Sequence, residues 1–162
     1  MTTGVLLQWS DDFNVGIQEV DEQHKALVGM LNELHKAIVE HHGKDTSRKI
    51  LDQLADYTRT HFLLEESLMR VTHYPGFDIH KQQHEELIKQ VVDLQQKLDV
   101  GGATITFELL HFLKVWLAQH INESDKRFGG FFKSTDHLKG YANWSQEVST
   151  TMKKKKWWWK FW

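Results

Sequence analysis

Six side chains in this sequence have the types and spacings that hold metal ions: His24, the pair His61 and Glu65, the pair His80 and His84, and His120. A step of four residues on a helix puts two side chains on one face, one turn apart, so each pair can reach a single centre. A lone pair of this kind arises often on solvated faces and carries little. The convergence of all six carries the argument. Each falls on the apolar stripe of a helix, where a polar group is costly unless paired, and several polar groups at one level of a core most naturally share a cation. Imidazole and carboxylate suit iron, manganese or zinc, so ligand type alone does not name the metal. His35, His41, His42, His73, His111 and His137 lack this convergence and read as solvated or hydrogen-bonded residues.

The elements that position these groups follow from the 3.6-residue period. His24, Leu27, Leu31, Leu34 and Ile38 form the stripe of a first helix over residues 21–42, with Asp21 as its N-cap and Gly43 as its stop. A second stripe runs Ile50, Leu54, Tyr57, His61, Glu65 and Leu68 and ends before Thr72 to Gly76. The third, Phe77, His80, His84, Leu87, Val91, Leu94 and Leu98, stops at Asp99 to Gly102. Ile105, Leu109, Leu113, Trp116 and His120 make the fourth. Short links between long helices imply antiparallel neighbours, so the expected fold is all-α, an up-down-up-down four-helix bundle. In that arrangement the starts of the first and third helices share an end with the finishes of the second and fourth. His24, His80 and His84 therefore meet His61, Glu65 and His120 at one end of one core.

Composition agrees and narrows the chemistry. The chain has 162 residues, 11 of them histidine, a single proline and no cysteine. The absence of cysteine excludes disulfides, thiolate zinc sites and iron-sulfur clusters, so any metal is held by nitrogen and oxygen. No secretory signal or membrane span is visible, which makes a cytoplasmic address the expectation. The domain organisation reads as an N-terminal arm (1–20) packed on the bundle, the bundle itself (21–132), a C-terminal extension (133–152) and a Lys/Trp-rich tail (153–162).

These residues resemble the hemerythrins in their bacterial form. The likeness runs from Trp9 to about Phe132 and is carried by Val15-Gly16-Ile17, Asp21-Glu22-Gln23-His24, His61-Phe62-Leu63-Leu64-Glu65, His80-Lys81-Gln82-Gln83-His84 and His120-Ile121-Asn122-Glu123-Ser124-Asp125. The resemblance adds Asp125 to the ligand set. A step of five from His120 turns roughly 140° on an ideal helix, so Asp125 needs an i+5 widening, a π-bulge, to face the same point. The family implies two iron ions bridged by Glu65, Asp125 and an oxo or hydroxo group. His80, His84 and His120 would complete one iron and His24 and His61 the other, leaving one open position, on the two-histidine iron, where dioxygen would bind. Leu27, Phe62, Trp116, Leu117 and Ile121 resemble the family's oxygen pocket, though all five would be core in any bundle.

Reversible dioxygen binding by a carrier, store or delivery protein is thus the expected function, and no enzyme activity is expected. The alternatives are a di-iron enzyme or a sensor, working in oxygen or nitric oxide chemistry or in iron handling. Catalytic ferritin-like bundles supply four glutamates and two histidines, which this chain does not, and no fused effector domain is expected. A monomer is expected, with no specific nucleic-acid partner. The tail stands apart: its ten residues carry five lysines, so the remainder holds 15 basic against 22 acidic residues, a net −7. Lysines attract anionic lipid while tryptophan favours the headgroup boundary, so the tail reads as a peripheral anchor to a membrane surface or a membrane enzyme.

Overall fold

The computed structural model describes residues 4–101, 104–134 and 138–159, with the side chains of all of these except 138, 139 and 153–159. Helix α1 spans Gln18–Val39, α2 Lys44–Val71, α3 Phe77–Asp99 and α4 Phe107–Gln119. The last of these continues without a break through a π-helix, His120–Asp125, into α5, Lys126–Ser134, and α6 follows over Leu138–Trp159. None of the described residues lies in a strand. The first four helices form the expected antiparallel bundle, with Leu27, Leu31 and Leu34 of α1, Leu51 and Leu68 of α2, Leu87 of α3 and Leu110 of α4 buried between them.

The helix ends depart from the sequence reading in an instructive way. Asp21 is not the N-cap of α1; Ile17 occupies that place, and the helix starts at Gln18. Asp21 instead reaches back from within the first turn, accepting hydrogen bonds from the amides of Val15 (2.7 Å) and Gly16 (3.3 Å). It thereby folds the arm onto the helix. Gly43 is likewise not the stop of α1 but the residue before α2, and α1 ends at Val39. The left-handed residue that closes α1 is His41 (φ 55°), where the amide of His42 donates to the Ala37 carbonyl at 2.9 Å. His73 (φ 56°) closes α2 the same way, with Tyr74 donating to Met69 at 2.9 Å. Two of the non-converging histidines therefore sit at helix stops, both exposed.

The arm and the extension both pack on the bundle, and each touches the ligand-bearing end, Val15 against Gly129 and Trp144 against Leu64. Leu7 is buried, and its amide and carbonyl pair with the Asn32 side chain on α1 at 3.0 and 2.9 Å. Further on, Val15 passes so close to Gly129 that a Cβ there would lie 2.1 Å from the Val15 carbonyl oxygen, which only glycine permits. Helix α6 packs along α2 through Trp144, Val148 and Met152, buried at steps of four. Trp144 Nε1 donates to the Leu64 carbonyl at 2.5 Å, while Tyr141 and Ser145 hydroxyls donate to the Glu19 carboxylate at 2.6 and 2.8 Å. Helix α6 crosses the boundary drawn at residue 152 and runs to Trp159; the tail's side chains and residues 160–162 lie outside the described part.

Candidate metal centre

Helix α1 supplies His24 and α2 supplies His61 and Glu65, while α3 contributes His80 and His84 and the π-helix His120 and Asp125. The structure brings all seven together. Each is at least nine-tenths buried, which for two carboxylates and five imidazoles demands an internal partner. The π-helix does what the i+5 step requires: Asp125 Oδ1 lies 3.2 Å from His120 Nε2 and 2.9 Å from His80 Nε2, and Oδ2 lies 3.0 Å from His24 Nε2. Glu65 sits between the same histidines, 2.7 Å from His80, 3.4 Å from His84 and His61, and 3.8 Å from His24. Donor atoms within 4.8 Å of one another form two groups. One contains His80, His84 and His120, the other His24 and His61, and both contain Glu65 and Asp125.

The way these atoms face one another fits cations better than hydrogen bonds. Both nitrogens of His24, Glu65 Oε2 and both oxygens of Asp125 are buried without a hydrogen-bond partner, although ion-pair distances surround them. They are close but misaligned for hydrogen bonding, as lone pairs aimed at a common point are. His84 Nε2 and His120 Nε2 face each other at 3.0 Å. A donor set of imidazole nitrogen and carboxylate oxygen, grouped five and four with two members shared, suits a pair of borderline cations such as iron.

Electrostatics without metal point the same way. Burial alone would lower the His24 and His80 pKa values, but contacts with Asp125 and Glu65 outweigh it and raise them to about 9 and about 10. Burial dominates at His61, whose pKa falls to about 3. Burial opposes ionisation of Glu65 and Asp125 too, yet the surrounding histidines hold both well below the usual carboxylate range. The carboxylates are thus charged and the metal-free cluster holds protons on His24 and His80, which an incoming cation must displace.

Two further residues belong to the centre, and periodicity does not single them out. Gln23 Oε1 lies 2.5 Å from His61 Nδ1, and Glu66 Oε2 lies 2.8 Å from His84 Nδ1; both are buried. An acceptor at Nδ1 fixes the proton there and leaves Nε2 free to bind metal. Aromatic rings set the planes of His84 and His120: Phe62 stacks on the first at 3.7 Å and Trp116 on the second at 4.5 Å. Beside them is an apolar cavity of about 50 Å³ whose lining includes Leu27, Phe62, Trp116 and Leu117. Ile121, the fifth expected pocket residue, is fully buried but is not among the residues lining this cavity.

The fold and this cluster define a helical-bundle protein built around a buried cation site. Residues 15–132 match the family model of the hemerythrin HHE cation-binding domain. The chain belongs to the hemerythrin family. It is 36% identical to the bacteriohemerythrin of Stenotrophomonas maltophilia over 85% of this chain and 87% of that protein. For the bacteriohemerythrin of Methylococcus capsulatus the identity is 33%, over 76% of this chain and 95% of that one. The crystal structure of a wild-type hemerythrin superposes with a TM-score of 0.74 at 33% identity, covering 77% of this chain and 96% of that one. The family match ends at residue 132, before α6 begins at Leu138.

Proposed function

We propose that this protein binds dioxygen reversibly at two iron ions held by His24, His61, Glu65, His80, His84, His120 and Asp125, and that it releases the gas unchanged. The observation that carries this reading is the pair of donor groups sharing both carboxylates, an arrangement for two cations bridged by Glu65 and Asp125. When bound, a ferrous pair can lend one electron each to dioxygen and recover them on release. The residues of the chain do the rest. The group with His24 and His61 has one donor fewer than the other, so a metal held there would keep an open position. The apolar cavity reaches that side through Leu27, one turn from His24, and Phe62, next to His61. Its lining holds no carboxylate, lysine or histidine, and its one hydroxyl, that of Thr58, donates to the Leu54 carbonyl at 2.7 Å, so the cavity offers bound dioxygen no acidic group. That favours a carrier over an oxygenase or peroxidase, both of which need protons at the oxygen. The protein reconstituted with ferrous iron should hold two irons per chain and gain a visible charge-transfer band in air that disappears on deoxygenation. One metal per chain, or oxidation without recovery, would overturn this reading.

We propose also that the Lys/Trp tail touches an anionic membrane surface. No helix among the described residues is long and apolar enough to cross a membrane, so contact would be peripheral. Support comes from four lysines at 153–156 followed by three tryptophans, at roughly 1 kcal/mol of attraction per lysine near anionic lipid. The intact chain should sediment with vesicles containing phosphatidylserine at low salt and be released at high salt, whereas a chain ending at Met152 should stay in solution. Equal partitioning of the two would refute the anchor without touching the oxygen site.

A further inference from the structure

The two metal positions differ in more than donor number. His84, in the three-histidine group, donates its Nδ1–H to the Glu66 carboxylate in a hydrogen bond of 2.8 Å. His61, in the two-histidine group, donates its Nδ1–H to the amide oxygen of Gln23, a neutral acceptor, in a hydrogen bond of 2.5 Å. Glu66 is 5% exposed and Gln23 3%, so neither contact is screened by water. A carboxylate accepting the Nδ1 proton pulls it toward itself and leaves negative charge on the imidazole, making Nε2 a stronger donor; an amide does so far less. The buried charges set a direction as well. Two ferrous ions bring four positive charges, Glu65 and Asp125 supply two negative ones, and Glu66 adds a third on one side only.

Resting on the two-iron reading above, we propose that Glu66 and Gln23 set the order in which the two irons are oxidised, Glu66 favouring the ferric state at the three-histidine position. In the first oxidation step one electron leaves the iron bound by His80, His84 and His120 and passes to a one-electron oxidant, such as ferricyanide, which becomes ferrocyanide. The ferrous ion that remains is the one bound by His24 and His61, which carries the open position. An anion such as azide, which prefers ferric iron, then finds the ferric ion without a vacancy and the vacant position still ferrous. Glu66 and Gln23 are positioning residues, since each acts through an imidazole.

The test uses the full chain loaded with iron, in three variants. Glu66→Gln keeps an oxygen acceptor for His84 and removes only the charge. A structural role would leave it unchanged, whereas the proposal requires a higher first oxidation potential and a narrower gap between the two steps. Gln23→Glu leaves Glu66 in place and should narrow the gap from the other side, by lowering the potential of the two-histidine iron. The exchange Gln23→Glu with Glu66→Gln should move the ferric ion to the open position, seen by Mössbauer spectra, and tighten azide binding to the half-oxidised form at least about tenfold. In the metal-free protein, nitrogen NMR of His84 should still show the Nδ1–H form in Glu66→Gln, confirming that the hydrogen bond survives. Two irons bound with both potentials and azide affinity unmoved in all three variants would overturn the inference while leaving the two-iron reading intact. Failure of the unaltered chain to bind two irons would overturn both.

Discussion

Replacing Glu65 or Asp125 with alanine should drop the iron content from two per chain to below one. Both carboxylates belong to both donor groups, so under the two-iron proposal each substitution would remove a ligand from two metals at once. It also removes a negative charge from between two dications, whose repulsion in a water-free interior is large. Loss of an outer-shell partner alone typically costs about 10- to 100-fold in metal affinity, and loss of a bridge should exceed that. His73→Ala and His111→Ala are the comparison, since both side chains are exposed and neither belongs to either group. His73→Ala carries a stability cost of order 1 kcal/mol, because alanine tolerates the left-handed conformation at φ 56° less well. That cost should appear in thermal unfolding and not in iron content. Glu65→Gln, which preserves volume and hydrogen bonding, separates loss of charge from collapse of the fold. Equal iron retention in Glu65→Ala, Asp125→Ala, His73→Ala and His111→Ala would contradict the ligand assignment.

Much of this centre is legible in the sequence, for a physical reason. Buried histidines on an apolar stripe violate the pattern that makes a helix amphipathic, and when four helices break that pattern at one level, a shared cation accounts for all the breaks at once. His24, His61, Glu65, His80, His84 and His120 could therefore be found by period alone. Asp125 could not, because the α-helical period points it away from His120; the π-helix over His120–Asp125 is what turns it inward. Gln23 and Glu66 also escaped the period. Each adjoins a ligand in sequence, which rotates it about 100° off the stripe and toward a neighbouring helix, where its partner is decided by packing. A second buried carboxylate directly after a ligating one was the available signal.

Helix ends were less legible than helix faces. Asp21 has the chemistry of an N-cap, but the chain before it is not free: the buried Val15 and Ile17 hold the arm against the bundle, so the helix starts earlier and Asp21 captures the arm's amides instead. At the other end, glycine is the usual left-handed residue, yet His41 adopts that conformation because the His42 amide is already committed to Ala37. Helix α6 posed a different problem. Its docking depends on Leu64 and Glu19, residues on the outer surface of the bundle, whose availability no periodicity reveals. Through those contacts α6 is tied to the residue before Glu65 and to the first turn of the helix that carries His24.

Leu117→Ala should accelerate oxidation of the oxygenated protein by about tenfold or more, a loss of roughly 1.4 kcal/mol in the barrier. Leu117 lines the cavity beside Phe62 and Trp116, one turn before His120. The cavity is now about 50 Å³ and walled by apolar side chains, so a water inside it would have almost no hydrogen-bond partners. Truncating Leu117 enlarges the space on a half-buried side of α4, where solvent is near, and so opens a path from water to the centre. In the proposed oxygenated state, water or anions reaching dioxygen would protonate or displace it, and the electrons lent to it would not be returned. Leu117→Phe, which keeps the wall closed, should not show the acceleration. The protein itself should survive, since Leu117 is only partly buried and the usual cost of about 2–5 kcal/mol for a fully buried leucine is an upper bound here. The measurement is the decay of the visible band in air at fixed temperature and anion concentration, with iron content held at two per chain. An unchanged or slower decay in Leu117→Ala would remove Leu117 from the barrier to water and leave Phe62 and Trp116, the rings stacked on His84 and His120, to provide it.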